Sequence, residues 1–427
     1  MTEYLKNIID LTPYINTKAF CGIRVNPIRL SRAEFEKIAP FEIRDCEFYE
    51  YGYYINDEDK TGKHPLHSAG AYYIQEPSAM SAVRALDVKK GDRVLDACAA
   101  PGSKATAIAP HCDILVANEI NGGRAQALIG NIERMGISNA LVLNTDTAAL
   151  PNAFAGYFDK VLVDSPCSGE GMFRKHPEIL TDWTPELVKL CAERSKTVLK
   201  NAAACLKEGG RLVYSTCTYN LEENEKVIID FLENNPDFEV CDTGLDFGDN
   251  GFLGLDKARR ISVKHGGEGH FVCALTRVRE GRVAYPKPFK LKGSFANTEG
   301  IIKKDPTFTC NKEFGFMSFQ GTDYAVPFDM PCPKDVHILR AGVKLGGMNG
   351  KVWKPEHHMF MATKPCDIIN CQEVDESTVL RFLKGEEIEC EVTLKGYCAV
   401  CYLGLTVGFG KASGGRLKNH LPKGLRF

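Results

Sequence analysis

Between residues 90 and 217, short aliphatic runs alternate with segments whose apolar positions recur every three or four residues. The runs are Arg93-Val-Leu-Asp96, Ile114-Leu-Val-Ala117, Ala140-Leu-Val-Leu143, Lys160-Val-Leu-Val-Asp164 and Arg211-Leu-Val-Tyr-Ser-Thr216. Each is β-branched or leucine-rich and ends in turn residues, which predicts a strand. Helical patterns fall at about 76–88, 103–110, 121–135 and 185–207. This alternation predicts βαβ units, hence an α/β fold with a mostly parallel sheet and helices on both faces. In such a sheet ligands sit outside the carboxyl ends of the strands. Phe238-Glu-Val-Cys-Asp242 and His270-Phe-Val-Cys-Ala-Leu-Thr276 read as closing strands, an antiparallel edge pair. Tyr285-Pro-Lys-Pro-Phe-Lys-Leu-Lys-Gly293 is proline-rich and basic, as a semi-rigid linker would be. Beyond it, short strands and frequent glycines predict a β-rich region. Ahead of the sheet, two helical patterns flank Arg24-Val-Asn-Pro27. The expected units are therefore 1–70, 71–278, a linker at 279–292, and 293–427.

Composition narrows the class. A chain of 427 residues has room for two to four domains of roughly 100–200 residues. With 44% apolar and 25% charged residues it is neither disordered nor fibrous. No apolar run approaches the roughly 20 residues that cross a bilayer. Glu3 and Asp10 interrupt the layout of a secretory signal. Seventeen scattered cysteines suit reduced thiols and a cytoplasmic location rather than a secreted disulfide scaffold. The net charge of −2 hides an asymmetry: residues 1–275 carry 30 Lys and Arg against 39 Asp and Glu, residues 276–427 carry 23 against 16, and no acid follows Glu391. A basic end on an acidic body suits a polyanion such as nucleic acid; solvated surface charge explains it equally well.

The first strand end, Asp96-Ala-Cys-Ala-Ala-Pro-Gly-Ser-Lys104, has small residues that let backbone approach a ligand, and a proline placed for a first helical turn. The spacing is not that of the dinucleotide fingerprint. Glu119 after the second strand could hold ribose hydroxyls, and Asp146 after the third could meet an adenine edge. Singly, each acid is more simply a helix cap or turn acid. Together they fit an adenosine cofactor without phosphates, S-adenosylmethionine.

The fourth strand ends in Asp164-Ser-Pro-Cys-Ser-Gly-Glu-Gly171 and the fifth in Ser215-Thr-Cys217, so two thiols would face one pocket. Asn220-Leu-Glu-Glu223 has the layout of a helix N-cap, whose dipole would favour a thiolate at Cys217. Methylation of cytosine carbon-5 needs such a thiolate: adding at carbon-6, it turns an inert ring into an enamine. Asp164, as a carboxylic acid near ring nitrogen-3, would stabilise the developing charge. A second thiol could assist the final elimination. The residues alone leave Cys167 and Cys217 open as nucleophile, and DNA cytosine-C5 enzymes use the Pro-Cys thiol.

These three motifs, with Asp164-Ser-Pro-Cys-Ser-Gly169 and Ser215-Thr-Cys-Thr-Tyr219 at their centre, closely resemble the signatures of the Sun/Fmu family of RNA cytosine-C5 methyltransferases. Arg24-Val-Asn-Pro27 resembles the family's N-terminal RNA-binding element, and His64-Pro-Leu-His-Ser-Ala-Gly-Ala-Tyr-Tyr-Ile-Gln-Glu-Pro-Ser-Ala79 its pre-catalytic segment. Gly408-Phe-Gly-Lys-Ala-Ser-Gly-Gly-Arg-Leu-Lys-Asn-His420 is similar to the C-terminal module of the RsmF-like branch, which acts on 16S ribosomal RNA. The resemblance implies a Rossmann-like class I methyltransferase fold and a PUA-like module at about 355–427. It implies that Cys98, Ala99, Ala100, Pro101, Gly102, Ser103 and Lys104 line the S-adenosylmethionine site, with Glu119 on the ribose, Asp146 on the adenine and Asp164 between cofactor and base. Cys217 is then the nucleophile and Cys167 the thiol that helps release product. The implied partner is 16S ribosomal RNA or the small subunit, with no membrane, no metal and a monomeric protein. One loop departs: Lys264-His265 stands where relatives often have Pro-His. The rival readings are a non-catalytic ribosomal RNA-binding assembly factor and a DNA cytosine-C5 methyltransferase. The Thr-Cys motif and the lack of a long target-recognition insertion argue against DNA.

Other features have plainer explanations. Tyr49, Tyr51 and Tyr53 could stack on bases but read better as one face of a strand. Cys398 and Cys401 have metal-type spacing within a strand-like run, so core packing is expected. His357-His358 is expected in a turn or at the surface, and Arg174, Lys175 and His176 either meet the RNA backbone or form a solvated loop.

Overall fold

The structure, a computed structural model, describes residues 1–56, 60–279, 281–292, 298, 300–303, 308–309 and 312–427. Five parallel strands lie at its centre: β1 (Arg93–Asp96), β2 (Ile114–Asn118), β3 (Ala140–Leu143), β4 (Phe158–Asp164) and β5 (Leu206–Thr216). Their order is β5-β4-β1-β2-β3, so the chain winds outward from β1 and then crosses back to β4. The crevice at this reversal opens above the ends of β1 and β4, and the chemical motifs fall at the carboxyl ends of all five strands.

Strand periodicity of two sorts the apolar residues onto two cores. Val94, Leu115, Val142, Leu162 and Val213 enter the core on one face. Leu95, Val116, Leu141, Val161, Val163 and Leu212 enter the core on the other. Burial on both faces is why these strands read as unbroken apolar runs. The helix Gly122–Arg134 is capped by Asn121, whose side chain accepts from the Arg124 amide, and buries Ala125, Leu128, Ile129 and Ile132. The helix Pro185–Ala203 starts at a Thr184 cap with proline in its first turn and stops four residues short of the expected end.

Phe238–Cys241 pairs antiparallel with Gly269–Arg277 as expected, yet Gly269–Arg277 is no edge. It lies between β5 and Arg259–Ser262. At the opposite side Ile338–Ala341 pairs antiparallel with β3, so a segment far beyond the linker extends the central sheet. The linker itself is bridged along its length: the Phe289 amide donates to Met330 O, and Lys292 pairs with Phe316. Glu280 and Gly293, at its two ends, lie outside the described residues.

The N-terminal segment forms a four-stranded antiparallel sheet of Arg44–Asp45, Gly52–Ile55, Cys21–Val25 and Tyr72–Ile74, in that order. Tyr49 and Tyr53 are buried and Tyr51 packs between two cores, but only Tyr53 lies in the strand; Tyr49 and Tyr51 belong to the turn before it, so the three do not form one strand face. The C-terminal region holds a four-stranded sheet (Phe314–Phe319, Thr322–Pro327, Val343–Asn349, Val352–Pro355) and a five-stranded one (Cys371–Glu373, Ile388–Glu389, Gly396–Tyr402, Leu405–Ser413, Arg416–Asn419). Ile23, Val25 and Phe35 share one core with Phe382, Val400 and Leu417, so the two ends of the chain pack together. Cys398 and Cys401 are buried in their strand, with Cys401 Sγ 2.6 Å from Cys371 Sγ. His357 and His358 are not at the surface: both are buried in the helix His357–Ala362, and His358 Nε2 lies 2.9 Å from Ile137 O. No helix among the described residues is long and apolar enough to cross a membrane.

Candidate active site

A cavity of about 1050 Å³ opens at the carboxyl ends of the parallel strands. It brings together seven of the residues singled out in the sequence: Cys98, Ala100, Glu119, Asp146, Asp164, Cys167 and Cys217. Ala99, Pro101, Gly102, Ser103 and Lys104 do not line it; they form the loop behind its wall. The helix after this loop is short and begins at Ala105, so Pro101 stands outside it rather than in its first turn. Gly102 has φ +111° and sits where a Cβ would meet Leu128 at 3.2 Å, so only glycine suits the turn.

Lys104 is buried, and its Nζ donates to Asp164 Oδ2 at 2.6 Å. Ser215, level with Asp164 on the neighbouring strand, donates its hydroxyl to Oδ1 at 2.8 Å. Burial would raise the Asp164 carboxyl, but the Lys104 ammonium outweighs it and holds the group below the usual carboxylate range. Burial likewise works against the Lys104 charge, yet Asp164 and the nearby Cys217 raise its proton affinity. Asp164 is therefore a carboxylate, not the carboxylic acid expected from the sequence. Asp96 is the opposite case. It is fully buried, neither side-chain oxygen has a partner among the described residues, and burial, then the Asp164 charge, push it up to about 7.

The two thiols meet. Cys167 Sγ lies 3.3 Å from Cys217 Sγ and accepts from the Cys217 amide at 3.4 Å. That contact and burial push the Cys167 thiol well above its ordinary range. The helix expected after Cys217 begins later, at Glu225. Asn220 and Glu223 pair without the reciprocal bond of a capping box: Asn220 Oδ1 accepts from the Glu223 amide at 2.8 Å and Asn220 Nδ2 donates to Glu223 Oε2 at 2.8 Å, while the Asn220 amide donates to Glu170 Oε2. They close a turn rather than open a helix, so the helix dipole does not act directly on Cys217.

Glu119 and Asp146 combine both readings offered for them. Glu119 accepts from the Asn121 amide at 2.8 Å and Asp146 from the Ala148 amide at 2.9 Å, so each shapes a turn while lining the cavity.

Comparison with known proteins places the chain. Residues 83–276 match the family model described as 16S rRNA methyltransferase RsmB/F, residues 1–77 the N-terminal domain of 16S rRNA methyltransferase RsmF, and residues 369–427 the methyltransferase RsmF PUA domain. A protein of Aliivibrio fischeri named ribosomal RNA small subunit methyltransferase F is 31% identical over 95% of this chain and 90% of its own length. Its namesake in Escherichia fergusonii is also 31% identical, with the same shares covered. The chain belongs to the RsmB/F family of rRNA methyltransferases. A crystal structure of a methyltransferase homologue from Pyrococcus horikoshii is 27% identical, with TM-score 0.55 over 62% of this chain and 88% of that one. NSun6 from the same organism, solved with SFG, shares the fold at 20% identity, with TM-score 0.57 over 65% of this chain and 98% of that one.

Within this family member, several residues around the site carried no local signal in the sequence. Arg24 is 1% exposed and does not face solvent. Its guanidinium donates to Gln75 Oε1, Ser103 O and Thr106 Oγ1, tying the N-terminal sheet to the loop behind the cavity. Asn26 is equally buried, with Nδ2 donating to Gly70 O and Met135 O. These two residues of the N-terminal element are therefore structural anchors rather than RNA contacts. Arg124 donates to Ala100 O at 2.7 Å and lies 3.6 Å from Glu119. Glu170 is fully buried and joins the two cysteine loops: Oε2 accepts from Thr218 Oγ1 and from the Tyr219 and Asn220 amides, and Oε1 from Trp183 Nε1 and Asn220 Nδ2. Glu223 answers from the other loop, accepting from the Ser168 amide at 2.7 Å. Its place inside Ser-Gly-Glu-Gly was the only hint for Glu170.

Arg174 is not free for a phosphate. It pairs through Nε and Nη2 with buried Glu268, both at 2.8 Å. Exposed His176 lies 3.2 Å from Glu178. In the departing loop Lys264 pairs with Asp249 at 2.6 Å, and His265 Nδ1 accepts from the Ser262 amide.

Proposed function

We propose that this rRNA methyltransferase forms 5-methylcytosine in 16S ribosomal RNA, with Cys217 bonded transiently to carbon-6 of the target base. The observation that carries the proposal is the pair of thiols 3.3 Å apart at adjacent strand ends, beside the Lys104–Asp164 pair. Cys217 is assigned as the nucleophile because Ser215-Thr-Cys-Thr-Tyr219 resembles the family's nucleophile motif, and Cys167, whose Sγ accepts from the Cys217 amide at 3.4 Å, is placed beside it. As the Cys217 thiolate adds at carbon-6, electron density moves to carbon-5. Asp164, a carboxylate, accepts a hydrogen bond from the exocyclic amine and so orients the base, and the density at carbon-5 then takes the methyl group. After carbon-5 is alkylated its proton passes to solvent water as base, the C–H electrons restore the carbon-5–carbon-6 double bond, and the carbon–sulfur bond breaks with Cys217 leaving as a thiolate that accepts a hydrogen bond from the neighbouring Cys167 thiol. The base reaches this pocket unstacked, as base-modifying enzymes require.

S-adenosylmethionine fits the cavity and, when bound, supplies the electrophilic methyl group. Supporting this, Glu119, Ile120 and Asp146 all line the cavity, two acceptor side chains together with an exposed apolar one. Glu119 would hold the ribose, Asp146 the adenine, and Cys98 and Ala100 the amino-acid end, with Ala99, Pro101, Gly102, Ser103 and Lys104 shaping the loop behind them. The reading extends to a cytoplasmic monomer with RNA-binding units at 1–70 and 293–427 around a catalytic unit at 71–278 and a linker at 279–292.

Two variants test the assignment. Cys217→Ala should give no adduct, whereas Cys167→Ala should leave protein covalently attached to RNA on a denaturing gel. The reverse pattern would exchange the two roles.

A further inference from the structure

Cys371–Glu373 is the edge strand of the five-stranded C-terminal sheet. It runs parallel to Gly396–Tyr402, with Cys371 opposite Ala399 and Glu373 opposite Cys401. Residues two apart on a strand share a face, so Cys401 points to the side of the sheet on which Cys371 lies. The two sulfurs are 2.6 Å apart and both are free thiols. That separation is only about half an ångström longer than the roughly 2.05 Å of a sulfur–sulfur bond. Their surroundings differ. Cys401 is 1% exposed and shares a core with Ala399, Phe360 and Phe409, whereas Cys371 is open to solvent. A thiol reachable from solution with a second thiol set against it is the arrangement of a reversible oxidation site. The contact also separates the roles of the two sulfurs. The hydrogen bond from Cys401 lowers the proton affinity of Cys371, against burial and the Glu373 charge, while the same contact and burial raise that of Cys401. The thiolate, which is the reactive form, therefore gathers on the exposed sulfur.

We propose that Cys371 and Cys401 form a thiol modification site that a hydroperoxide oxidises to a reversible disulfide, clasping the edge strand of the C-terminal sheet. With hydrogen peroxide, the Cys371 thiolate attacks one oxygen. A sulfur–oxygen bond forms, the oxygen–oxygen bond breaks, and the departing hydroxide takes a proton from solvent. Cys401 then gives up its proton and attacks the sulfenic sulfur of Cys371. The sulfur–sulfur bond forms, the sulfur–oxygen bond breaks, and the second hydroxide leaves with that proton as water. Two thiols and one peroxide thus give one disulfide and two waters, and a thiol reductant reverses the change. In a reducing compartment such a bond is transient, as redox-sensing disulfides are. The bond closes the loop of residues 371–401, which contains the helix Glu376–Leu383. Val379, Phe382 and Leu383 of that helix share a core with Ile23, Val25 and Phe35, so the clasp secures the joint between the two ends of the chain. A cross-link removes conformations from the unfolded chain, so oxidation stabilises the fold. Neither cysteine lines the catalytic cavity, and the site does not depend on methyl transfer.

The test treats the full chain with dilute hydrogen peroxide, alkylates the remaining thiols, digests without reductant and maps the peptides by mass spectrometry. The expected product joins the peptide containing Cys371 to the peptide containing Cys401, lighter by two hydrogens than the separate thiols, and dithiothreitol should part them. The urea midpoint of the oxidised parent should lie above that of the reduced parent. Cys371→Ser, a substitution at an exposed position, should lose that rise, which separates this bond from any oxidation of Cys167 and Cys217. Both thiols still alkylated after peroxide, or Cys371 joined to a different cysteine, would overturn the site. So would a rise in Cys371→Ser equal to the parent's.

Discussion

Replacing Glu170 by Gln should loosen both cysteine loops at once. The carboxylate accepts five hydrogen bonds and is wholly buried, so no water can substitute. A glutamine keeps one acceptor. If its oxygen takes the Oε2 place it retains Thr218 and the Tyr219 and Asn220 amides, but its NH₂ then faces Trp183 Nε1 and Asn220 Nδ2, both donors. Two bonds to a charged group are lost, each worth about 1.5–3 kcal/mol, for a cost of about 3–6 kcal/mol. That is a large share of the roughly 5–15 kcal/mol by which a domain is stable. Urea unfolding should show the loss directly. The segment released is the one that follows Cys217, and a shift of about 1 Å at a reacting group costs about 100-fold in rate. Turnover should therefore fall far more than RNA affinity. The milder Thr218→Val removes one donor of three on Oε2, should stay folded, and should show a smaller loss of kcat with KM unchanged. A Glu170→Gln protein with the parent's urea midpoint and the parent's kcat would refute the clamp.

Two further outcomes follow from the same electrostatics. Lys104→Met removes the main influence that lowers the Asp164 carboxyl and leaves burial opposed by the Ser215 hydroxyl and His270, so the carboxyl should rise; the acid limb of kcat/KM should move to higher pH, and an unshifted limb would show that Asp164 acts without Lys104. His270, His357 and His358 are buried and held neutral, lowered from the ordinary 6.5 to about 4, about 4 and about 3. The unfolded chain binds these protons first, so the stability from the neutral forms is complete above pH 6.5 and declines as pH falls from 6.5 towards 4. Urea midpoints at pH 7.5 and pH 5 should differ in that sense, and equal midpoints would contradict it.

What could be read from the sequence was what local chemistry decides. Strands β1 to β5 announced themselves because they are buried on both faces, and the cavity residues because they sit at strand ends. Long-range pairing was invisible. Ile338–Ala341 joins β3 across nearly 200 residues of chain, and nothing in its composition distinguishes it from other short strands. Arg24 reads as part of an RNA-binding element by resemblance and Arg174 as either an RNA contact or a solvated residue, but their partners, Ser103 O and Glu268, are distant in sequence and bury both. His357-His358 looked like a turn because the helix that buries it spans only six residues. Of the Asn220–Glu223 pattern only half forms, the Asn220 side chain on the Glu223 amide, and it closes a turn rather than starting the helix. Asp164 shows the same limit: its position was legible, its ionisation was not, because that depends on Lys104 folding over it.

The central claim is a carbon–sulfur bond between cytosine carbon-6 and one particular cysteine. Mass spectrometry of the peptide–nucleotide adduct isolated from the Cys167→Ala protein, incubated with small-subunit ribosomal RNA and S-adenosylmethionine, tests it most directly. The expected result is a methylated cytidine attached to the peptide containing Cys217. Attachment at another cysteine, or methylated RNA formed by a Cys217→Ala protein, would contradict it.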